Sequence, residues 1–139
     1  MELSLTPFVD QLRKAGCRQV EGLLEFAATT VEPRQLPAFF VVPTTESARA
    51  SSTDQARDQA VDAGVSVMVV LDGTRRAQAG ISEELRDQTR IVKDALVGWT
   101  HPDAARACAF AGGRLASASG STVVWEVRLT TRYHLRKKS

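Results

Sequence analysis

Two hydrophobic periods run through this chain. Val61, Ala63, Val65, Val67, Val69 and Leu71 occupy alternate positions, which predicts a long strand with one face inward, ended by Asp72-Gly73. The same period returns near the end of the chain. Val123, Trp125, Val127, Leu129, Thr131, Tyr133 and Leu135 share one face, and Val124, Glu126, Arg128, Thr130, Arg132 and His134 share the other. One charged face on a strand of that length predicts an antiparallel, half-buried strand. Ala105 to Ala118 reads as its hairpin partner, interrupted at Gly112-Gly113 by a tight turn or bulge, with Gly120 turning the chain. By contrast, Ala38-Phe39-Phe40-Val41-Val42, closed by Pro43, is continuously apolar and predicts a strand buried on both faces.

The helical period is clearest in Ile81, Leu85, Gln88, Val92, Leu96 and Trp99, joined by Ala95, and predicts a helix over about 82–97. Ser82 is its expected N-cap, Glu83 and Glu84 lie where the helix dipole favours acids, and Gly98 and Pro102 stop it. Arg90 and Asp94 are spaced to pair on the outer face. A short first helix starts at Thr6 as cap and Pro7, carries Phe8, Val9, Leu12 and Ala15 on one stripe, and ends at Gly16. Cys17 to Val20 reads as a short strand and Glu21 to Ala28 as a second short helix. Thr44 to about Asp54 shows no period and reads as a surface loop, within a mobile stretch near 44–57, and Thr74 to Gly80 as another. The expected fold is a single α+β domain over 1–139: a mostly antiparallel mixed sheet, the long helix on one face, short N-terminal helices, and a frayed basic end at 136–139.

Composition adds exclusions. The chain has 139 residues, 43% of them hydrophobic and 24% charged, values usual for a globular protein. No apolar run approaches the ~18 residues of a membrane-spanning helix, and the first residues lack the pattern of a signal peptide. The net charge of +2 hides an asymmetry. Residues 1–60 carry six Lys and Arg against eight Asp and Glu, whereas residues 61–139 carry twelve against eight. After Val127 come Arg128, Arg132, Arg136, Lys137 and Lys138 with no acid. That is a local basic end, short of the chain-wide excess of a dedicated nucleic-acid binder.

Candidate chemistry is thin. Cys17 and Cys108 make neither a disulfide framework nor a metal site, and read as two small buried thiols in a reducing cytoplasm. His101 and His134 lack ligand spacing and are expected to be exposed. No Ser stands in a nucleophile elbow. Val69-Val70-Leu71-Asp72-Gly73-Thr74 ends a strand in Asp-Gly-Thr, like an aspartyl-phosphate site, but Val70 and Thr74 stand where a second aspartate is needed. Ala111-Gly112-Gly113-Arg114 is followed by strand-like sequence rather than by the helix N-terminus a phosphate cradle uses. The expectation is therefore no catalytic residue, no cofactor, no metal and no enzymatic activity.

Taken in order, these segments resemble the tail terminator proteins of long-tailed bacteriophages, especially the small family of Mu-like and related phages. The matching pieces are Pro37 to Pro43, then Gln59 and the strand to Asp72, then Ala95-Leu96-Val97-Gly98-Trp99 with Pro102. Gly113-Arg114-Leu115, Val124-Trp125 and Thr130-Thr131-Arg132-Tyr133 complete the set, which covers roughly residues 5–136; Cys17 to Val31 departs from the pattern. The resemblance implies a structural virion protein, assembled in the host cytoplasm. It implies a homohexameric ring on the head-proximal end of the tail tube, which stops tube growth and meets a neck or head-completion protein. It also implies DNA passing through the lumen without specific binding. Arg49 and Arg57, Arg75 and Arg76, and Arg132 and Arg136 are the candidates for contacts with a neighbour, the tube or the lumen, and each reads at least as readily as an ordinary solvated cation. Two other readings stand beside this one: another head–tail joining protein, and a monomeric nucleic-acid-binding module using the basic C-terminal strand.

Overall fold

A computed structural model describes residues 1–22, 36–49, 58–74, 80–119 and 121–136. In chain order the elements are α1 (Thr6–Lys14), β1 (Val20–Glu21), β2 (Ala38–Ala48), β3 (Asp58–Asp72), α2 (Ile81–Leu96), β4 (Arg106–Ser119) and β5 (Thr122–Arg136). The strands form one sheet in the order β1-β2-β3-β5-β4. Among the described residues, only the β1–β2 pair is parallel. β2–β3, β3–β5 and β4–β5 run antiparallel, which is the α+β architecture expected from the sequence.

The two periods become two layers. Val61, Ala63, Val65, Val67, Val69 and Leu71 of β3 join Val127, Leu129 and Tyr133 of β5 in one core. Phe8 and Leu12 of α1 and Val92, Ala95 and Leu96 of α2 cover it. Residues of the opposite parity, Ala38, Phe40, Val42 and Val70, form a smaller cluster on the other face with Met68 and Val124. This is why the run Ala38–Val42 has no polar position: Phe39 and Val41 belong to one cluster, Phe40 and Val42 to the other.

Several boundaries differ from the sequence reading. β2 does not stop at Pro43. A register shift between Pro43 and Thr45 absorbs the proline, and the strand continues through Ala48, into the stretch expected to be loop. The shift sets Thr45 opposite Gly64, where a Cβ would run into the Thr45 hydroxyl. Residues 50–57 of the expected loop lie outside the described residues, as do 23–28 of the expected second helix, 75–79 of the second loop, Gly120 and residues 137–139. Glu21, read as the start of that helix, pairs with Phe40 in β1, and the strand expected over Cys17 to Val20 is confined to Val20–Glu21.

The caps shift too. Leu5 occupies the N-cap of α1, with Thr6 inside the helix, and Ala15 is exposed. Gly80 rather than Ser82 is the N-cap of α2, and neither helix has a side-chain cap bond. Glu83 and Glu84 do occupy the first turn of α2, and Arg90 Nε pairs with Asp94 at 3.0 Å. Trp99 lies beyond the helix, after Gly98 at φ 88°, and its ring packs on Phe8 with centroids 5.2 Å apart.

Candidate functional site

With side chains alternating between faces, the pairing register assigns the polar residues to the helix-free side of the sheet. Ser66 pairs with Arg128, Asp62 with Arg132, and Arg132 in turn with Arg106; Glu126 pairs with Arg114. Two groups of charges result.

In the first, Asp62 of β3 takes Arg132 Nε on Oδ1 at 2.9 Å and Arg49 Nε on Oδ2 at 3.1 Å. Hydrogen bonding from Arg132 holds the Asp62 carboxyl below its ordinary value; desolvation opposes it, and Arg49 adds to it. Two of the six candidate arginines are thus joined through one carboxylate that the sequence reading did not single out. Its signal was present: Asp62 is the acid inside the apolar and small-residue run Val61–Leu71 of that strand. Arg136 stands at the exposed end of β5, opposite Asp58 in the register. Arg57, Arg75 and Arg76 lie outside the described residues.

The second group is more buried. Glu126 is only 4% exposed at its side chain, accepts the Ser66 hydroxyl at 2.6 Å on Oε2, and holds Arg114 Nε at 2.6 Å on Oε1. Burial raises the Glu126 pKa, but the Ser66 hydrogen bond, the Arg114 hydrogen bond and charge, and the Arg128 charge outweigh it and hold the group below its ordinary value. The three partners come from three adjacent strands, β3, β5 and β4. Glu126 lies on the face expected to be solvated, and its burial is a tertiary result.

Beside these groups β4 is the edge strand of the described sheet. Phe110 and Leu115 are 46% and 53% exposed. The glycine pair lies at the predicted irregularity: the register shifts between Phe110 and Gly112, and Gly112 has φ 139°. A Cβ on Gly113 would sit 2.9 Å from Trp125 Nε1, so glycine there lets the indole lie against the backbone.

The remaining candidates read as structure. Both cysteines are buried, and burial pushes each thiol up to about 11, with a Thr131 hydrogen bond acting the other way on Cys108. His134 is exposed as expected, but His101 is not. It is 1% exposed, wedged beside Phe8 and Trp99. The Asp103 N–H donates to His101 Nδ1 at 3.0 Å, which leaves Nε2 to donate to the Ser4 carbonyl at 2.8 Å. The ring therefore ties the N-terminal segment to the turn after α2. Asp72 Oδ1 accepts the Thr74 N–H at 2.9 Å, a turn after a strand. Among the described residues, no three His, Cys, Asp or Glu are grouped to hold a metal, and no helix is long and apolar enough to cross a membrane.

A family model for phage tail terminator proteins matches residues 1–139. The chain belongs to the phage tail terminator family. None of the curated proteins matches it. Tail terminators cap the tail tube, so this is a structural, non-enzymatic protein of the virion tail. Membership assigns the work to surfaces rather than to a reactive centre, in keeping with a chain whose unusual features are charged groups and an open strand edge.

Proposed function

We propose that this chain acts as a hexameric ring on the head-proximal end of the tail tube, stopping tube growth and presenting a surface to a neck or head-completion protein. Genomic DNA passes through the bore without specific binding, and the protein assembles into the particle in the host cytoplasm. The observation that carries the reading is the family match over the whole chain. The exposed strand β4 supports it, because a ring needs a surface on each subunit that accepts the next one.

A dedicated nucleic-acid module has less behind it. Arg132 and Arg49 both lean on Asp62, and Arg114 on Glu126, so much of the basic face is already paired. The 139-residue chain is read as one working unit. Arg57, Arg75, Arg76 and Arg136 remain candidates for contacts with the tube, a neighbour or the lumen.

The test is electron microscopy of tails assembled with and without the protein. Overlong tubes in its absence, restored to uniform length when it is added back, are the expected result. Tubes of unchanged length with the protein still at the neck would point instead to a head–tail joining protein. No association with tails, together with salt-sensitive binding to DNA, would favour the nucleic-acid module.

A further inference from the structure

We propose that the charged part of the sheet side opposite α1 and α2 is a contact surface for the phosphate backbone of duplex DNA. This deepens the reading above, in which DNA passes through a ring of these subunits, by naming the face that the DNA meets.

Register gathers the charges. Glu126, Arg128 and Arg132 stand at even positions of β5 and point to one side, and their cross-strand partners point the same way. Arg106 and Asp62 flank Arg132, and Arg114 lies opposite Glu126. Arg49 joins them from the end of β2 by pairing with Asp62. Five guanidiniums are thus set around two carboxylates.

The two signs lie at different depths. The Glu126 and Asp62 side chains are 4% and 34% exposed, whereas those of Arg114 and Arg49 are 70% and 57% exposed. Arg106 and Arg128 are exposed too, and neither forms an ion pair among the described residues. The existing pairs also leave donors over. Asp62 gives Oδ1 to Arg132 and Oδ2 to Arg49, while Glu126 gives Oε1 to Arg114 and Oε2 to Ser66. Each paired guanidinium is therefore fixed by a single oxygen at Nε, one donor of a group that has several. A guanidinium held in this way is already oriented for a second anion and loses little side-chain freedom on meeting one.

The same face selects the class of partner. A protein surface is recognised through a buried apolar or aromatic centre inside a polar rim. Among these arginines stand Ala109, Gly112, Thr130 and Ser66, all on the charged side by register. The exposed apolar Phe110 and Leu115 lie opposite Leu129 and Trp125, on the helix side. Trp125 and Tyr133 pack on that side as well, so neither ring can stack on a base from the charged face. Cations without apolar or stacking groups contact phosphates irrespective of sequence. The carboxylates beneath them temper the surplus, which keeps the contact weak and lets the duplex slide.

Fluorescence anisotropy of a short labelled duplex, titrated with the full chain over a series of salt concentrations, tests this. The expected result is weak binding, equal for unrelated sequences, that falls steeply with salt. Arg106→Gln combined with Arg128→Gln removes two phosphate contacts and should reduce the slope of log affinity against log salt by about two. Lys14→Gln combined with Arg86→Gln removes the same charge from exposed positions on α1 and α2 and should leave the slope unchanged. Arg106→Lys combined with Arg128→Lys keeps the charge and should keep the slope. Circular dichroism checks that all three fold as the unmodified chain does.

The proposal is overturned by a full chain that does not bind the duplex at low salt, by an Arg106→Gln/Arg128→Gln variant with an unchanged slope, or by a helix-side variant that lowers the slope as much. If that sheet-side variant binds DNA normally but its tails fail to join heads, the face meets an acidic protein and the proposal also falls. Tail length keeps the two readings apart. Overlong tubes in the presence of the unmodified chain sink the capping role and leave the anisotropy result standing, whereas uniform tubes with no change in slope sink the DNA surface alone.

Discussion

β4 and β5 are neighbours of nearly equal length, and the chain treats them in opposite ways. β5 pairs on both sides and buries Val127, Leu129, Thr131 and Tyr133 against the helices. β4 pairs on one side, shifts register three times, and buries only Cys108 among the residues whose side chains are described. The interior strand is held by what its side chains pack against. The edge strand is held by its ladder to β5, by the Arg114–Glu126 pair and by the Gly98–Trp99 contact at Cys108. Its Ala, Gly and Ser side chains add little packing. The difference locates stability in the middle of the sheet and availability at its margin.

That contrast is sharpest for matched truncations. Leu129→Ala in β5 removes a fully buried side chain, and the expected loss is about 2–5 kcal/mol of unfolding free energy in a urea titration. A loss below ~1 kcal/mol there would mean that β5 is not the centre of the core. Glu126→Ala comes next. It strips the acceptor from the buried Ser66 hydroxyl and the charge from Arg114, and should cost about 1–3 kcal/mol by the same titration. Glu126→Gln, which keeps an oxygen for Ser66, should cost less.

pH resolves the same site more finely. Glu126 and Asp62 have folded-state pKa values below their ordinary 4.5 and 3.8, so their contribution is fully present above those values. It is lost as pH falls below them through the lower folded values. Stability measured across that acid range should therefore decline, and Glu126→Gln should flatten part of the decline; an unchanged slope would remove Glu126 from the account. The smallest effect belongs to the edge. Leu115→Ala, at a side chain 53% exposed, should change stability by no more than ~0.5 kcal/mol in the same urea titration.

How much of this was legible beforehand depends on the range of the interaction. Strand β3 and the inner face of β5 could be read from alternation, because a period of two maps directly onto the two sides of a sheet. The Arg90–Asp94 pair was legible for the same local reason. Pro43 misled: it looked like a strand end, but a bulge accommodates it and β2 continues. His101 misled as well, since a histidine before a proline gives no local sign that Ser4, 97 residues away, will accept its ring N–H. Of the six arginines, the chain order gave no means of seeing that Arg49 and Arg132 would meet on Asp62, which depends on β2 and β5 flanking β3.

The sequence by itself determined the periods, and with them the elements, the inward faces, the position of the glycine bulge and the resemblance to phage tail terminators. Those are properties of neighbours along the chain, where side-chain direction follows from backbone geometry. The tertiary structure alone decided which strand would be central and which would be the margin. It also buried Glu126 and His101 and set β4 at the margin of the described sheet. Strand order and long-range burial arise from pairings between residues far apart in sequence, and no local pattern records them.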